Sequence, residues 1–278
     1  MNQPLVSVVV STHFSAGYLE RCLVSIRDQT YSNIELIVVD GRSNDATRDI
    51  ALKYADRLFV DQGDERSVKR NFGVKKSKGD YVCIADSDML FSPDVIESCV
   101  RKVLSDETII AVVIPEQSVG KSFWAQCKAL ERSFYVGIDW MEAARFYKKE
   151  AYLRAGGYDE KNTGSEDYDL SQRVKADYGK NAVQNIDEFI CQEELNLGLI
   201  QSCKKKFYYS ASFINYRANE ANAENFLKQS NILLRYKLFF LQPRKLFKRP
   251  IVGFCMIFMK TCEFVVGGIG FFFSRIRN

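Results

Sequence analysis

The sequence predicts an α/β protein built on an open, mostly parallel sheet. Three observations carry that expectation. Apolar runs such as Leu5–Val10 are continuous and β-branched, as strands covered on both faces require. Between them lie segments whose apolar residues recur at helical spacing, so strand and helix alternate along the chain. Polar residues then stand at the ends of the runs: Ser11-Thr12, Asp40, and Asp86 with Asp88.

Taken in order, Leu5–Val10 reads as the first strand and Leu19, Cys22, Leu23 and Ile26 as the apolar stripe of the first helix. Ile34–Val39 is the second strand, and Ala46, Ile50, Ala51 and Tyr54 mark the second helix. Arg57–Val60 is a short third strand, followed by a helix near Ser67–Lys76. Tyr81–Ala85 is the next strand; Val95, Ile96, Cys99, Val100 and Val103 mark a helix after Pro93, and Ile109–Ile114 closes the series. Beyond Pro115 the pattern coarsens into a helix around Trp124–Tyr135, a strand at Ala143–Tyr147, a Gly-rich loop over Gly156–Gly164, and an acidic helix start at Glu166. From about Asn222 the chain reads as helix.

Ile251–Phe273 is the most apolar segment, yet it contains Lys260, Glu263 and the glycines Gly267, Gly268 and Gly270. A clean membrane span lacks mid-segment charges. Arg244, Lys245, Lys248 and Arg249 precede it, and Arg275 and Arg277 follow. The pattern favours interfacial or hairpin-like attachment to a membrane over a full span or a plain core helix.

The bulk numbers narrow the class. The chain has 278 residues, 46% apolar and 27% charged, with a net charge of +4, which is globular and without the strong basicity of a nucleic-acid binder. Its eight cysteines form no CxxC pair, and Met1-Asn2-Gln3-Pro4 shows no leader pattern, so reduced, cytosolic, mostly core cysteines are expected. The one histidine, His13, excludes a multi-histidine metal site and argues against a Ser-His-Asp triad.

In a parallel sheet the strand C-termini share one edge, where ligands bind, so Thr12, Asp40, Asp86 and Asp88 are expected to converge. Each also has a plainer reading as a turn residue. Asp40 can accept from a ribose hydroxyl or a base N–H, or simply organise a turn with Asn44 or Asp45 as N-cap of the next helix. Asp86 and Asp88 suit Mg²⁺ or Mn²⁺, hard cations that take one or two carboxylates and complete their shell with phosphate and water. Arg66 and Arg70, four apart on one helix face, suit a pyrophosphate or a carboxylate partner, whereas Lys69, Lys75 and Lys76 read as a solvated face. Glu166, Asp167 and Asp169 either complement a helix dipole or supply a general base.

The segments VSVVVST (6–12), CLVSIRDQTYSNIELIVVDGRSNDAT (22–47), ERSVKRNFGVKKSKGDYVCIADSDM (65–89) and GGYDEKNTGSEDYDLSQRV (156–174), in this order, resemble the family 2 glycosyltransferases of GT-A fold. The resemblance covers roughly 1–215 and implies a GT-A domain there, with 216–278 a helical, membrane-attaching segment like that of members acting on lipid-linked or cell-surface glycans in polysaccharide biosynthesis. It implies that Thr12 and Asp40 contact the nucleotide and that Arg70 supports the donor side. Asp86 and Asp88 would be the D-x-D pair, with Asp88 favoured as the direct ligand of Mg²⁺ or Mn²⁺. Asp167 would be the base of an inverting single displacement from a UDP-, GDP- or dTDP-sugar, of hexosyltransferase type, to a hydroxyl of a glycan or lipid-linked acceptor. Such an enzyme is expected in the cytoplasm, peripheral to or anchored at the membrane face.

Two departures stand out. Many members carry a His in a short segment after the base helix; here that stretch is Ile190-Cys191-Gln192-Glu193-Glu194, with Gln192 or Glu193 as substitutes. An Asn common near the first strand's end is replaced by Phe14. Trp124, Trp140, Glu142 and Arg145 are acceptor-side guesses, Trp124 equally a core residue. The alternatives are a degenerate, non-catalytic nucleotide-sugar binding module and a nucleotidyltransferase, the latter lacking a glycine-rich, lysine-bearing phosphate loop.

Overall fold

The computed structural model describes residues 3–60, 63–210 and 212–277, so Met1 and Asn2 of the N-terminal reading lie outside the described residues. The elements run β1 (Val6–Thr12), α1 (Leu19–Arg27), β2 (Ile34–Asp40), α2 (Thr47–Tyr54), β3 (Arg57–Val60), α3 (Arg66–Lys76), β4 (Tyr81–Asp86), β5 (Met89–Phe91), α4 (Val95–Ser105), β6 (Ala111–Val113), β7 (Glu116–Val119), α5 (Phe123–Ser133), β8 (Ala144–Lys148), α6 (Lys149–Arg154), α7 (Glu166–Tyr178), β9 (Val183–Asn185) and β10 (Ile190–Glu193). Helices then follow: α8 (Leu199–Ser210), α9 (Phe213–Ala218), α10 (Ala223–Ser230), α11 (Ile232–Phe240), α12 (Pro243–Leu246) and α13 (Pro250–Arg277).

The chain divides into two compact units, one comprising Met1–Pro115 and Ala143–Gln192, the other Glu116–Glu142 and Glu193–Asn278. This differs from a break at 215/216. Segment 116–142 joins the tail because Cys127 and Phe134 share one apolar cluster with Phe239, Leu246, Val252, Met256 and Met259.

In the first unit, seven strands order as β3-β2-β1-β4-β8-β6-β9. β1 pairs in parallel with β2 and β4, and β2 with β3; β8 runs antiparallel between β4 and β6. All seven residues of β1 are buried, as a strand covered on both faces must be. One cluster, with Leu19, Cys22, Leu23 and Ile26 of α1, packs on one face, and another, with Val74, Tyr147, Tyr152 and Leu170, packs on the other. The open, mostly parallel sheet read from the sequence is therefore the one observed, with β8 as its antiparallel member.

Four sequence expectations change. The strand at Ile109–Ile114 shrinks to Ala111–Val113, and the short strands β5, β7, β9 and β10 stand where no strand is legible, because three or four residues carry too little periodicity. Helix resumes at Leu199 rather than Asn222; α8 buries Ser202 and Ser210, so apolar residues do not mark its packed face. Neither Asn44 nor Asp45 is the N-cap of α2: the cap is Ala46, while Asp45 accepts from the N–H of Thr47 at 3.1 Å and of Ala16 at 3.3 Å, joining two loops. Lys69 is buried, its Nζ donating to the Asp64 carbonyl at 2.9 Å, whereas Lys75 and Lys76 are exposed as expected.

α13 is one uninterrupted helix, which removes the hairpin form of attachment. Among the described residues, Pro250–Ser274 is a helix long and apolar enough, by length and composition, to cross a membrane.

Candidate active site

The register of the parallel strands sets Thr12 beside Asp40, and Ser11 beside Asp86. Thr12 donates to Asp40 Oδ1 at 2.9 Å. Asp40, fully buried, also accepts from the Ser43 hydroxyl at 2.5 Å, the Ser43 N–H at 3.0 Å and Arg48 Nε at 3.0 Å. Burial opposes its charge, but these donors outweigh burial and lower its pKa. Asp40 thus ties the loop after β2 to β1 and α2, with its acceptors engaged by Thr12, Ser43 and Arg48. His13 Nδ1 lies 2.5 Å from the Gly41 carbonyl, tying the loops after β1 and β2 together. Phe14 and Arg42, in those two loops, hold φ of 49° and 62°, left-handed backbone that non-glycine residues seldom adopt away from functional loops. Phe14 is half exposed.

Arg70, wholly buried on α3, is the hub of the site. Its Nη2 donates to Asp86 Oδ1 at 2.6 Å, while Nη1 donates to Glu166 Oε1 at 3.1 Å and Asp167 Oδ1 at 3.2 Å. Arg66 Nε lies 2.6 Å from Glu166 Oε1. From β8, Arg145 Nη2 lies 3.7 Å from Asp167 Oδ2 and 3.9 Å from Asp86 Oδ2. The two α3 arginines therefore do share a face, and that face meets carboxylates. Burial alone would raise Asp86 and Asp167; the guanidiniums of Arg70, Arg145 and Arg66 override it and hold both carboxyls below the usual range. Of the acids opening α7, Glu166 is fully buried between arginines, and Asp169 is committed to Arg173 at 2.7 Å. Asp167 keeps 19% of its side chain exposed, which leaves it accessible to a substrate.

The loop before α7 is held by a residue the sequence reading passed over. Asn71 Oδ1 accepts from the Tyr158 N–H at 2.9 Å and the Tyr152 hydroxyl at 2.7 Å, and its Nδ2 donates to the Tyr158 carbonyl at 2.9 Å. Gly156 and Gly157 adopt φ of 84° and 70°, the turn that delivers Tyr158 to Asn71 and under Arg70, 5.1 Å from its ring. The adjacent Arg70-Asn71 pair was the available signal: one side chain orders the acids, the next orders the loop that leads to them.

Asp88 follows β4, in the turn before β5. β10 pairs antiparallel with β5, setting Gln192 opposite Met89, and Gln192 Nε2 donates to Asp88 Oδ2 at 3.0 Å. Asp86 spends Oδ1 on Arg70 and Ser11, so Asp88 is the better placed of the pair for a cation. Among the described residues no group of three His, Cys, Asp or Glu side chains could hold a metal. The oxygen donors present fit a hard divalent cation shared with a diphosphate, and do not form an all-protein cage.

Trp124 packs against the apolar cluster of the second unit, and Glu142 accepts from the Gly137 N–H at 2.9 Å. The Trp140 carbonyl accepts from Gln229 at 2.7 Å. Arg145, the fourth of these candidates, faces the acids Asp86 and Asp167.

The glycosyl transferase family 2 model matches residues 7–158. The chain belongs to that family. It is 34% identical over 112 residues to glycosyltransferase GlyA of Streptococcus pneumoniae, covering 38% of this chain and 16% of the relative. It is 29% identical over 116 residues to an uncharacterized glycosyltransferase of Haemophilus influenzae, covering 40% of this chain and 46% of the relative. The alignments thus span less than half of either relative. The family's GT-A fold is seen in the mannosyltransferase PcManGT of Pyrobaculum calidifontis, solved with GDP-Man and Mn²⁺: TM-score 0.68, 17% identity, 98% of this chain and 88% of that one. Staphylococcus aureus TarS 1-349 with UDP-GlcNAc gives TM-score 0.54 at 13% identity, over 99% and 92% of the two chains.

Proposed function

We propose that this family 2 member is an inverting, metal-dependent glycosyltransferase, moving a sugar from a nucleotide-sugar donor to a hydroxyl of a glycan or lipid-linked acceptor at the cytoplasmic face of a membrane. One observation carries the reading: Arg70 joins Asp86 at the end of β4 to Asp167 at the start of α7, so a donor-side acid and a partly exposed base share one hub. Asp167 takes the acceptor proton on a carboxylate oxygen as the hydroxyl attacks the anomeric carbon. Arg70 and Arg145 hold that carboxylate in place and ionised. Thr12 and Asp40 bound the nucleotide side of the crevice. Asp88, with Gln192 alongside, would hold Mg²⁺ or Mn²⁺, whose charge neutralises the departing nucleoside diphosphate. Neighbours of the same fold crystallised with Mn²⁺ and GDP-Man, and with UDP-GlcNAc, support the class of donor.

A binding module without turnover is the second reading, favoured by Gln192 where a metal ligand is expected. The two separate on incubation with UDP-, GDP- and dTDP-sugars, Mn²⁺ and a glycan acceptor, reading release of nucleoside diphosphate. Release that Asp167→Asn abolishes supports the transferase. Binding of a nucleotide without release from any donor supports the module, and release unchanged by EDTA and by Asp88→Asn removes the metal.

A further inference from the structure

α13 has two faces of different chemistry. Inward, Val252, Met256, Met259, Lys260 and Glu263 are buried. Lys260 Nζ lies 3.0 Å from Glu263 Oε2 and 2.6 Å from Glu131 Oε1 of α5; Lys128 Nζ lies 2.7 Å from Glu131 Oε2 and 2.8 Å from Glu263 Oε1. Ser202 of α8 donates to Glu263 Oε1 at 2.5 Å. Gly270 brings α8 in close, since a Cβ there would meet Ser210 and Phe207. The two charges in the apolar segment are therefore closed off against α5 and α8. Crossing a bilayer alone would strip both from their partners, which hydrocarbon does not replace.

Outward, Ile251, Phe254, Phe258, Val265, Ile269 and Phe272 are each 47–73% exposed. Their spacing of three, four and seven residues makes one continuous stripe of ~32 Å at the helical rise. Beside it, α8 and α13 enclose a groove of about 610 Å³ lined by Leu199, Ile200, Cys203, Phe207, Cys262 and Val266. Lys204 stands on the same rim. An exposed apolar surface of this extent marks an interaction site.

Charge identifies the occupant. From residue 231 to 278 there are nine Lys and Arg and one acid, Glu263, which is buried and paired. Arg244, Lys248 and Arg249 are exposed at the N-terminal end of α13. A second copy packed stripe to stripe would set the like charges of this segment against one another. An anionic lipid leaflet supplies the missing sign.

We infer that α13 lies in the plane of an anionic membrane leaflet, its Ile251–Phe272 stripe in the headgroup–acyl boundary, the groove beside α8 receiving acyl chain, and Lys204, Arg244, Lys248 and Arg249 on the headgroups. This gives the membrane partner of the proposed function an orientation, and it stands whether or not sugar transfer occurs.

The test is flotation of the full chain with vesicles of equimolar phosphatidylglycerol and phosphatidylcholine, against pure phosphatidylcholine. Binding to the anionic vesicles is expected to fall at least tenfold on neutral vesicles and in high salt. Phe254→Glu with Phe258→Glu should weaken it at least tenfold with an unchanged melting temperature, and Lys248→Glu with Arg249→Glu should remove the lipid preference. Phe258→Trp, Val265→Trp and Phe272→Trp, read by brominated lipids, should report one shallow depth. Graded depths along the helix would establish a span and overturn the orientation. No vesicle binding, or a dimer in sedimentation that the Phe254→Glu/Phe258→Glu pair dissolves, would assign the stripe to another occupant. Nucleoside diphosphate release measured without vesicles keeps this outcome separate from that of the transfer reaction.

Discussion

Gln192 donates its amide N–H to Asp88 Oδ2 at 3.0 Å, across 104 residues of sequence and by way of the β10–β5 pairing. An amide nitrogen turned to a carboxylate is the arrangement of lowest energy with no cation between them. A cation on Asp88 reverses the preference, since it attracts the amide oxygen and repels the N–H. Gln192 is thus positioned to respond to the cation proposed at Asp88.

Mn²⁺ affinity should follow from that pair. With nucleoside diphosphate present, Asp88→Asn is expected to abolish Mn²⁺ binding by titration calorimetry. Gln192→His should tighten it by about tenfold, the scale on which ligand and near-ligand changes act. Unchanged affinity in both variants removes the site from this edge of the sheet.

The two acids at the start of α7 should separate by phenotype. Asp167→Asn is expected to lower turnover by about 10²–10⁴-fold with little effect on melting, as removal of a general base does. Glu166→Ala removes one of the three carboxylates around buried Arg70 and the partner of part-exposed Arg66, and should cost about 1–3 kcal/mol in denaturant unfolding. The reverse pattern would make Glu166 the base.

Arg145 should tune Asp167. It lies 3.7 Å from that carboxylate and, after Arg70, contributes most to lowering a carboxyl that burial alone would raise. Arg145→Met therefore raises the pKa of Asp167. With Asp167 as the proposed base, active when ionised, the acid limb of the pH–rate profile should move to higher pH, with the alkaline limb in place. An unmoved acid limb means that Arg145 acts only in packing.

Acid should loosen the second unit through Glu131 and Glu263. Burial raises both, and for both Lys128 and Lys260 outweigh it, leaving Glu263 at about 2 against an ordinary 4.5 and Glu131 well below its ordinary value. Folded carboxyls below their unfolded value bind fewer protons than the unfolded chain, so this stability is present above about pH 4.5 and lost as pH falls toward 2. Thermal melts between those limits should show the loss, and Glu263→Gln should flatten it. Melts independent of pH over the window would discount the cluster.

Sequence alone marked strands β1 to β4 of the sheet, but neither β9 nor the antiparallel sense of β8. A strand covered on both faces needs an unbroken run such as Val6–Val10, and parallel strands end on one edge, so Thr12, Asp40 and Asp86 had to meet there. Helical period likewise marked α1 and α4, whose packed faces are apolar. Tertiary structure decided what period cannot reach. Arg70 bonds carboxylates 16, 96 and 97 residues away, and no local spacing selects those three over a phosphate. Lys69 turned to the Asp64 carbonyl, and Asp40 turned its acceptors to Thr12 of β1, Ser43 of its own loop and Arg48 of α2, contacts that hydropathy does not mark. In α13 the period shows which residues share a face, but only packing on α5 and α8 decides that Lys260 and Glu263 are covered and Phe254 and Phe258 are not.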